Sequence, residues 1–416
     1  MKILDVICAR GISGFYYDDL KAIRAGAEPD GFTYTGKPKT QNYCSVRQAG
    51  EAVSVMIILE NGDMAYGDCS AVQYSGTFGR YPVFLADAFI PIINRDIRPA
   101  LISEELDDFR RLAKKIEAIR DAQGLKLHPA LRYGVTQALL AAVARSKKKL
   151  MCEIVAEEYH HKVSEVAVPI TAQSGADIYS NADKMIIKQV PIIPQGLFNN
   201  GIKTCGKNGE RLLEYIAWLR KRVAKLRSDD LYVPVFHLVL HGSLSQVFYN
   251  DIEQTVEYLK KMAAVAAPFR ILVEDPVELG DADIQLGYMK KLMLRLSEED
   301  VNVKIIVDEW CNTLEDIKAY ADAAAADIIH IKAPDLGSID NAIEAVLYCK
   351  DKSIGTYWGG SCNETDDSAI ISSHIAMGLN CDMILAKPGM GVDEAYMMVH
   401  NEIQRILALR KICKLF

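Results

Sequence analysis

The chain has 416 residues, of which 50% are apolar and 25% are charged. These values are ordinary for a folded globular protein and exclude a wholly disordered or collagen-like chain. The net charge is −7, so no positive field favours nucleic acid or an anionic membrane, and we expect a small-molecule partner. Because no apolar run is long enough to cross a membrane, and Asp5 lies where a signal peptide needs apolar residues, we expect a cytoplasmic protein.

The first 160 residues mix both kinds of secondary structure. Strand-like runs at Met1–Ile7 and Ala52–Leu59 are followed by helical patterns near residues 104–122 and 130–156. From residue 161 onward, short apolar runs alternate with amphipathic stretches, which predicts parallel strands joined by helices. We therefore expect an N-terminal α+β domain over residues 1–160 and a second domain over residues 161–416.

The second domain contains eight such units. Eight βα units over about 250 residues match the size of a TIM (β/α)8 barrel. A doubly wound sheet is the structural alternative, because strand counts from one sequence are loose. The apolar runs are Val168–Ala172, Met185–Lys188 with Val190–Ile193, Val233–Leu240, Arg270–Val273, Val303–Val307, Ile328–Ile331, Gly355–Trp358 and Met383–Ala386.

Three of these runs are closed by residues that suit catalysis. Glu274 follows the fourth run, Asp308 the fifth and Lys332 the sixth. The carboxyl ends of barrel strands meet at one face, so we expect the three side chains to converge there. Two carboxylates suit Mg²⁺, and a lysine beside the cation, with its pKa lowered, can remove a proton next to a metal-held carboxylate. Strand-end caps or ion pairs would explain the same residues without catalysis, and both interpretations stay open.

Longer motifs are spread in order along nearly the whole chain. They are Gln73-Tyr74-Ser75-Gly76, Ala172-Gln173-Ser174-Gly175, Asp183-Lys184-Met185-Ile186-Ile187-Lys188, Asp308-Glu309-Trp310-Cys311-Asn312-Thr313, Ile331-Lys332 with Pro334-Asp335-Leu336-Gly337, Cys362-Asn363-Glu364-Thr365 and Ala386-Lys387-Pro388-Gly389-Met390-Gly391-Val392-Asp393-Glu394. Together these motifs resemble methylaspartate ammonia-lyase, a family of the enolase superfamily.

The resemblance implies a fold, a reaction and a set of site residues. The fold is a modified TIM barrel with an N-terminal α+β capping domain, usually in a homodimer. Members remove the C3 proton of 3-methylaspartate and expel ammonia, with Mg²⁺ holding the substrate carboxylate and a monovalent cation, here K⁺, assisting. Lys332 falls on the family's lysine base, and Glu274 and Asp308 fall on two of its three metal carboxylates. The positions that contact substrate are Gln73, Gln173 and Cys362.

The third metal carboxylate of the family is missing here. The family has an aspartate after Phe-His-x, whereas Phe236-His237-Leu238 is followed by Val239. Loss of one of three anionic ligands predicts weaker Mg²⁺ binding. His241 is an alternative ligand on the same strand and would favour a softer metal.

Four further positions of the predicted site depart from the family. Gln195 replaces a histidine that serves as the second base, and an amide cannot take a proton, so we expect Gln195 to orient a carboxylate or water. Thr171 replaces an aromatic residue, His330 a glutamine and Ser361 a threonine, and we expect all three beside the substrate. His330 would lower the pKa of Lys332 or bind a second substrate carboxylate.

Three functions remain open on the sequence alone. The favoured one is a carbon–nitrogen lyase that removes ammonia from 3-methylaspartate or a related amino acid through Lys332. Another enolase-superfamily reaction on a different amino acid is the second, because the predicted pocket is altered. The third is a non-catalytic relative that has lost a metal ligand, which Val239 and Gln195 suggest.

Overall fold

A computed structural model describes residues 1–175 and 177–413 of the chain. Its N-terminal part contains five strands: β1 (Ile3–Asp18), β2 (Pro29–Asp30), β3 (Thr33–Tyr34), β4 (Arg47–Leu59) and β5 (Met64–Ser70). β4 pairs antiparallel with β1 on one side and β5 on the other, and β2 with β3 forms a separate ribbon.

Helices complete this N-terminal α+β cap. They are α1 (Leu20–Arg24), α2 (Ala86–Ile92), a π-helical turn (Ile93–Ile97), α3 (Arg98–Leu101), α4 (Phe109–Ala118), α5 (Pro129–Lys147) and α6 (Met151–Glu158). The helical pattern predicted over residues 130–156 is two helices, because Lys148 adopts a left-handed conformation with φ of 54° and ends α5.

Helix α5 is buried on nearly all sides because its sequence is apolar all round. His128 caps its first turn, and Pro129 is its first residue. A backbone N–H at that position has no acceptor within the helix, so proline, which lacks this N–H, fits there. The helix lies against β5 at Gly67, where a Cβ would come within 2.3 Å of the Ala138 backbone nitrogen. That close approach fixes the helix between the cap sheet and the barrel.

The C-terminal part is a closed barrel of eight parallel strands in chain order. The strands are β6 (Ile170–Thr171), β7 (Ile192–Leu197), β8 (Val235–Val239), β9 (Ile271–Glu274), β10 (Lys304–Val307), β11 (Ile328–Ile331), β12 (Gly355–Trp358) and β13 (Met383–Leu385). β13 pairs with β6 and closes the ring. This confirms the predicted barrel with an N-terminal α+β cap and rules out a doubly wound sheet.

Helices α7 to α17 surround the barrel and follow its strands. They are α7 (Ser180–Ile187), α8 (Gly201–Cys205), α9 (Glu210–Leu226), α10 (Ser243–Phe248), α11 (Ile252–Ala266), α12 (Ala282–Glu298), α13 (Leu314–Asp322), α14 (Ala333–Leu336), α15 (Ile339–Asp351), α16 (Asp366–Leu379) and α17 (Glu394–Cys413). Within residues 1–175 and 177–413, the structure contains no helix with the length and apolar character needed to cross a membrane.

One predicted strand segment is wrong. The run Met185–Lys188 is helical: α7 continues to Ile187, and only Val190–Ile193 leads into a strand, β7. Ala182, Met185 and Ile186 are the buried residues of α7 and follow helical spacing. A short apolar run has the same composition in a strand and on a helix face, so composition alone did not separate them.

A buried ion pair of the barrel lies against the cap. The Lys387 ammonium lies 2.9 and 3.0 Å from the two Glu364 oxygens, and both side chains are inaccessible to solvent. Lys387 also donates to the Gly359 carbonyl at 2.6 Å and to Ser372 at 3.1 Å. From the cap, the Tyr133 hydroxyl on α5 donates to Glu364. Every proton of the ammonium group therefore has a partner at the junction.

We expect Lys387→Met to destabilise the protein strongly, because it leaves the Glu364 carboxylate buried without its counter-ion. The free energy of unfolding in urea should fall by about 3–5 kcal/mol. Lys352→Met is the matched control, since Lys352 pairs with Asp322 at 2.7 Å on the surface, and its effect should be much smaller. Equal effects of the two substitutions would contradict this role of Lys387.

A second prediction concerns the cap of helix α5. The His128 ring packs 5.6 and 5.0 Å from the rings of Phe84 and Phe89, its Nδ1 accepts from the Ala130 N–H at 3.1 Å, and its Nε2 lies 3.0 Å from the Pro82 carbonyl. Burial lowers the pKa of His128 from 6.5 to about 4, so the folded state holds the ring neutral.

Because the unfolded chain protonates His128 more readily, the stability that the neutral ring contributes is present above pH 6.5 and is lost toward pH 4. His128→Asn keeps a capping side chain but does not titrate. We expect the melting temperature of the wild type to fall more steeply than that of the variant over this pH range. Parallel curves of melting temperature against pH for the two proteins would contradict this role of His128.

Candidate active site

A cavity at the carboxyl ends of the barrel strands contains most of the predicted site. The cap covers it with residues from the loop after β5, among them Tyr74 and Arg80. Nine of the ten predicted site residues line this cavity: Gln73, Gln173, Gln195, Glu274, Asp308, His330, Lys332, Ser361 and Cys362. Glu274, Asp308 and Lys332 therefore meet at the barrel mouth, as their positions after the strands predict. The role of each site residue stays a prediction.

Glu274 is the last residue of β9, and its buried carboxylate receives two imidazole N–H groups. His237 Nε2 lies 2.7 Å from one oxygen, Oε2, and His330 Nδ1 lies 2.8 Å from the other, Oε1. Burial raises the pKa of Glu274, but the nearby His330 and His237 outweigh it and hold this pKa well below its usual range. Glu274 is therefore a carboxylate whose two oxygens both have hydrogen-bond partners.

Three residues predicted to differ from the family, Thr171, His330 and Gln195, are connected to this carboxylate. Thr171 bonds to His237 Nδ1 at 3.1 Å, which orients the ring that reaches Glu274. The His330 ring lies over the Tyr357 ring with centroids 4.1 Å apart, and Gln195 donates to the Tyr357 hydroxyl at 3.1 Å. Thr171, predicted to lie beside the substrate, is fully buried and is not part of the cavity lining. It acts on the cavity only through His237.

The Lys332 amine reaches into the cavity and donates to Asp308 Oδ2. Burial and Arg80 lower the pKa of Lys332, but the carboxylates of Asp308, Glu309 and Asp335 outweigh them and raise it. The expectation of a lowered lysine pKa is therefore wrong for this arrangement, because it considered burial and cationic neighbours but not the direct contact with Asp308. The resting amine is an ammonium group.

Arg80 is a buried site residue that the sequence reasoning missed. Its guanidinium lies 2.7 Å from Glu309, 2.8 Å from Asp335 and 3.6 Å from Asp308. A single cation from the cap thus compensates three acids of the barrel. Its sequence signal is weak, because Arg80 lies in a cap loop and no strand pattern points it toward the barrel mouth.

Two groups of side chains have ligand atoms close enough to hold a metal ion. In the first group, the atoms of Glu274, Asp308 and His330 lie within 4.8 Å of one another. Asp308 Oδ1 is buried without a hydrogen-bond partner, so a cation would satisfy it. Val239 pairs in register with Glu274 on the neighbouring strand but offers no ligand atom. The residues therefore fit a divalent cation held by two carboxylates.

The second group consists of His241, Asp275 and Glu309. His241 bonds to Glu309 at 3.2 Å, so it lies against a carboxylate of β10 and does not stand in for the carboxylate missing at Val239. Burial, followed by repulsion from neighbouring acids, raises the pKa of Asp275 well above its ordinary value. Because its acidic neighbours disfavour the charge of Asp275 and Glu309 is paired with Arg80, this group is less suited to a cation than the first.

One residue within β7 and one just after each of β8 and β9 adopt left-handed backbone conformations. The φ angles are 38° for Gln195, 42° for His241 and 46° for Asp275. Gln195 lies at a break in register between β7 and β8, where an extra residue redirects the side chain. Such conformations in non-glycine residues concentrate at functional sites.

Both parts of the chain match family models. The model described as methylaspartate ammonia-lyase N-terminus covers residues 1–160, and the model described as its C-terminus covers residues 162–412. Methylaspartate ammonia-lyase 2 from Carboxydothermus hydrogenoformans is 51% identical over 411 residues, which is 99% of each chain. Methylaspartate ammonia-lyase from Clostridium tetanomorphum is 46% identical over 409 residues, 98% of this chain and 99% of that one.

Solved structures are also similar to this chain over most of its length. The magnesium complex of β-methylaspartase from Clostridium tetanomorphum has a TM-score of 0.94 and 45% identity over 99% of both chains. The Citrobacter amalonaticus enzyme containing (2S,3S)-3-methylaspartic acid has a TM-score of 0.96 and 42% identity over 99% of this chain and 100% of that one. Muconate lactonizing enzyme from Pseudomonas fluorescens, with 16% identity and a TM-score of 0.61 over 92% of this chain and 87% of that one, shares the fold.

Sequence identity and structural match thus extend over the whole length of both cap and barrel, and they confirm the resemblance that the motifs carried. The chain belongs to the methylaspartate ammonia-lyase family.

Proposed function

We propose that this ammonia-lyase removes ammonia from 3-methylaspartate or a closely related amino acid. One observation carries the proposal: the Lys332 amine lies in a cavity with Glu274 and Asp308, under a cap that excludes most solvent. The comparisons favour this function over another superfamily reaction or a non-catalytic relative, since 3-methylaspartic acid is bound in a relative that is 42% identical.

Lys332 is the proposed base that removes the proton next to the substrate carboxylate. Asp308 holds the amine in place, so the nitrogen is oriented before substrate arrives. Because the amine is an ammonium group at rest, it has to lose its proton before it can act, and a substrate or cation that binds Asp308 would weaken the contact that keeps it protonated.

Glu274 and Asp308 are the residues that would hold a divalent cation, and we propose Mg²⁺ with K⁺ as a second cation. Asp308 Oδ1 accepts no hydrogen bond, which supports a positively charged ligand at this point. When bound, the cation supplies positive charge for the carboxylate group as the proton leaves. Because Val239 contributes no ligand, we propose that Mg²⁺ binds more weakly here than where an aspartate is present.

The remaining predicted residues are proposed to position the substrate. Gln195 donates its N–H to Tyr357, and its buried Oε1 has no partner, so it can accept from substrate or water. Gln73 is fixed by a bond to Asp18 at 2.7 Å and lies 3.6 Å from the Cys362 sulfur, which joins a cap residue to the barrel rim. The other proposed contacts in the lining are Gln173 and Ser361.

We also propose that the chain forms a homodimer, as the family resemblance implies. Light scattering on the purified protein would give the mass of a dimer if this is correct.

Turnover of 3-methylaspartate tests the proposed function directly. With Mg²⁺ and K⁺ present, the wild type should release ammonia and an unsaturated dicarboxylate that absorbs in the ultraviolet. Lys332→Ala should lower kcat by about 10²–10⁴-fold, because it removes the base. Lys261→Ala, a surface lysine near Glu257, is the matched control and should retain full activity.

Circular dichroism would establish that the Lys332→Ala variant is folded. The proposal fails if concentrated wild-type enzyme yields neither product from 3-methylaspartate or its close analogues, or if the folded variant turns over as fast as the wild type.

A further inference from the structure

We propose that the His330 side chain takes the place of a cation at Glu274, so that Mg²⁺ binds this site only by displacing the imidazole. The inference rests on the cation site proposed above. It differs from the proposal about Val239, because it assigns a role opposed to metal binding to a side chain that contacts a proposed ligand.

The hydrogen bonds of His330 fix which ring nitrogen carries the proton. The backbone N–H of Gly360 lies 3.2 Å from Nε2, and since a backbone N–H can only donate, Nε2 accepts. The proton is therefore on Nδ1, which donates to Glu274. A protonated nitrogen has no lone pair for a metal, so His330 in this orientation is a competitor of the cation and not a ligand.

The Nδ1–H group of His330 lies beside the two carboxylate oxygens that a cation would bind. It lies 2.8 Å from Glu274 Oε1 and 3.8 Å from Asp308 Oδ1. Mg²⁺ requires oxygen ligands at about 2.0–2.1 Å, so it would have to approach the same Oε1 atom more closely than the imidazole nitrogen does. The imidazole N–H and a cation therefore compete for Glu274 Oε1.

The ring is also held against rotation. The Tyr357 ring covers one face with a centroid distance of 4.1 Å. On the side of the following loop, a Cβ at Gly359 would lie 1.8 Å from Nε2, so only glycine leaves space for the ring there. Together with the bonds to Gly360 and Glu274, these contacts make displacement of His330 unfavourable.

His237 shows why the second imidazole matters. It belongs to the Phe-His-x motif of the family and bonds to Oε2 of Glu274, which leaves Oε1 for a metal. His330 stands where the family has glutamine and occupies Oε1. Val239 and His330 thus act on the same ion: one removes a ligand, and the other covers a ligand that remains.

Calorimetric titration with Mg²⁺ alone tests the inference without any turnover. We expect His330→Gln to bind Mg²⁺ more tightly than the wild type, and more so when it is combined with Val239→Asp. The double variant should bind at least about 100-fold more tightly than the wild type, and the His330→Gln step in the Val239→Asp background should account for about tenfold or more. His160→Gln is the matched control, because this histidine is exposed just after α6 and is not part of the cavity lining, and its affinity should equal that of the wild type.

The sign of the His330→Gln effect decides between two roles. If His330 were a metal ligand, removal of its imidazole would weaken binding, and that result overturns the inference. Unchanged affinity in both backgrounds overturns it equally. Thermal melts with and without Mg²⁺ establish whether each variant is folded. If Val239→Asp does not fold, the change in Mg²⁺ affinity from the wild type to His330→Gln still tests the inference.

Lack of turnover would refute the proposed function but leave these binding results unaffected.

Discussion

A carboxylate buried at the end of a barrel strand has to be compensated, and the arrangement of this site follows from how Glu274 is compensated. Its charge is retained because two imidazole N–H groups reach it from the neighbouring strand β8 and from β11, one on each oxygen. Thr171 and the Gly360 backbone in turn orient these rings. Glu274, the two imidazole rings, Thr171 and the Gly360 backbone thus form one connected network.

The remaining acids are compensated from a different direction. Asp308 pairs with Lys332 of the next strand, while Glu309 and Asp335 pair with Arg80 of the cap. Removal of the cap would leave these barrel acids without their guanidinium partner, a costly state for buried charges. The cap is therefore part of the electrostatics of the cavity as well as its cover, and its Tyr133 hydroxyl donates to the buried Lys387–Glu364 pair of the barrel.

Strand periodicity and the residues that close each strand were sufficient to predict the barrel and the meeting of Glu274, Asp308 and Lys332, because both depend on local sequence and a general barrel rule. The features that the sequence did not predict depend on contacts between distant segments. Arg80 lies 228 to 255 residues from the acids it pairs with, and no local pattern marks it. The raised pKa of Lys332 follows from its direct contact with Asp308, whereas sequence suggests only that both lie near the mouth.

The most direct measurement is a crystal structure of the wild-type protein grown with millimolar Mg²⁺ and 3-methylaspartate. We predict that an ion between Glu274 and Asp308 is found only where the His330 ring has moved away from Glu274, and that His330 Nδ1 stays within hydrogen-bond distance of Glu274 wherever no ion is bound. An ion bound to both carboxylates with the His330 ring unmoved, or ligated by that ring, would contradict the account.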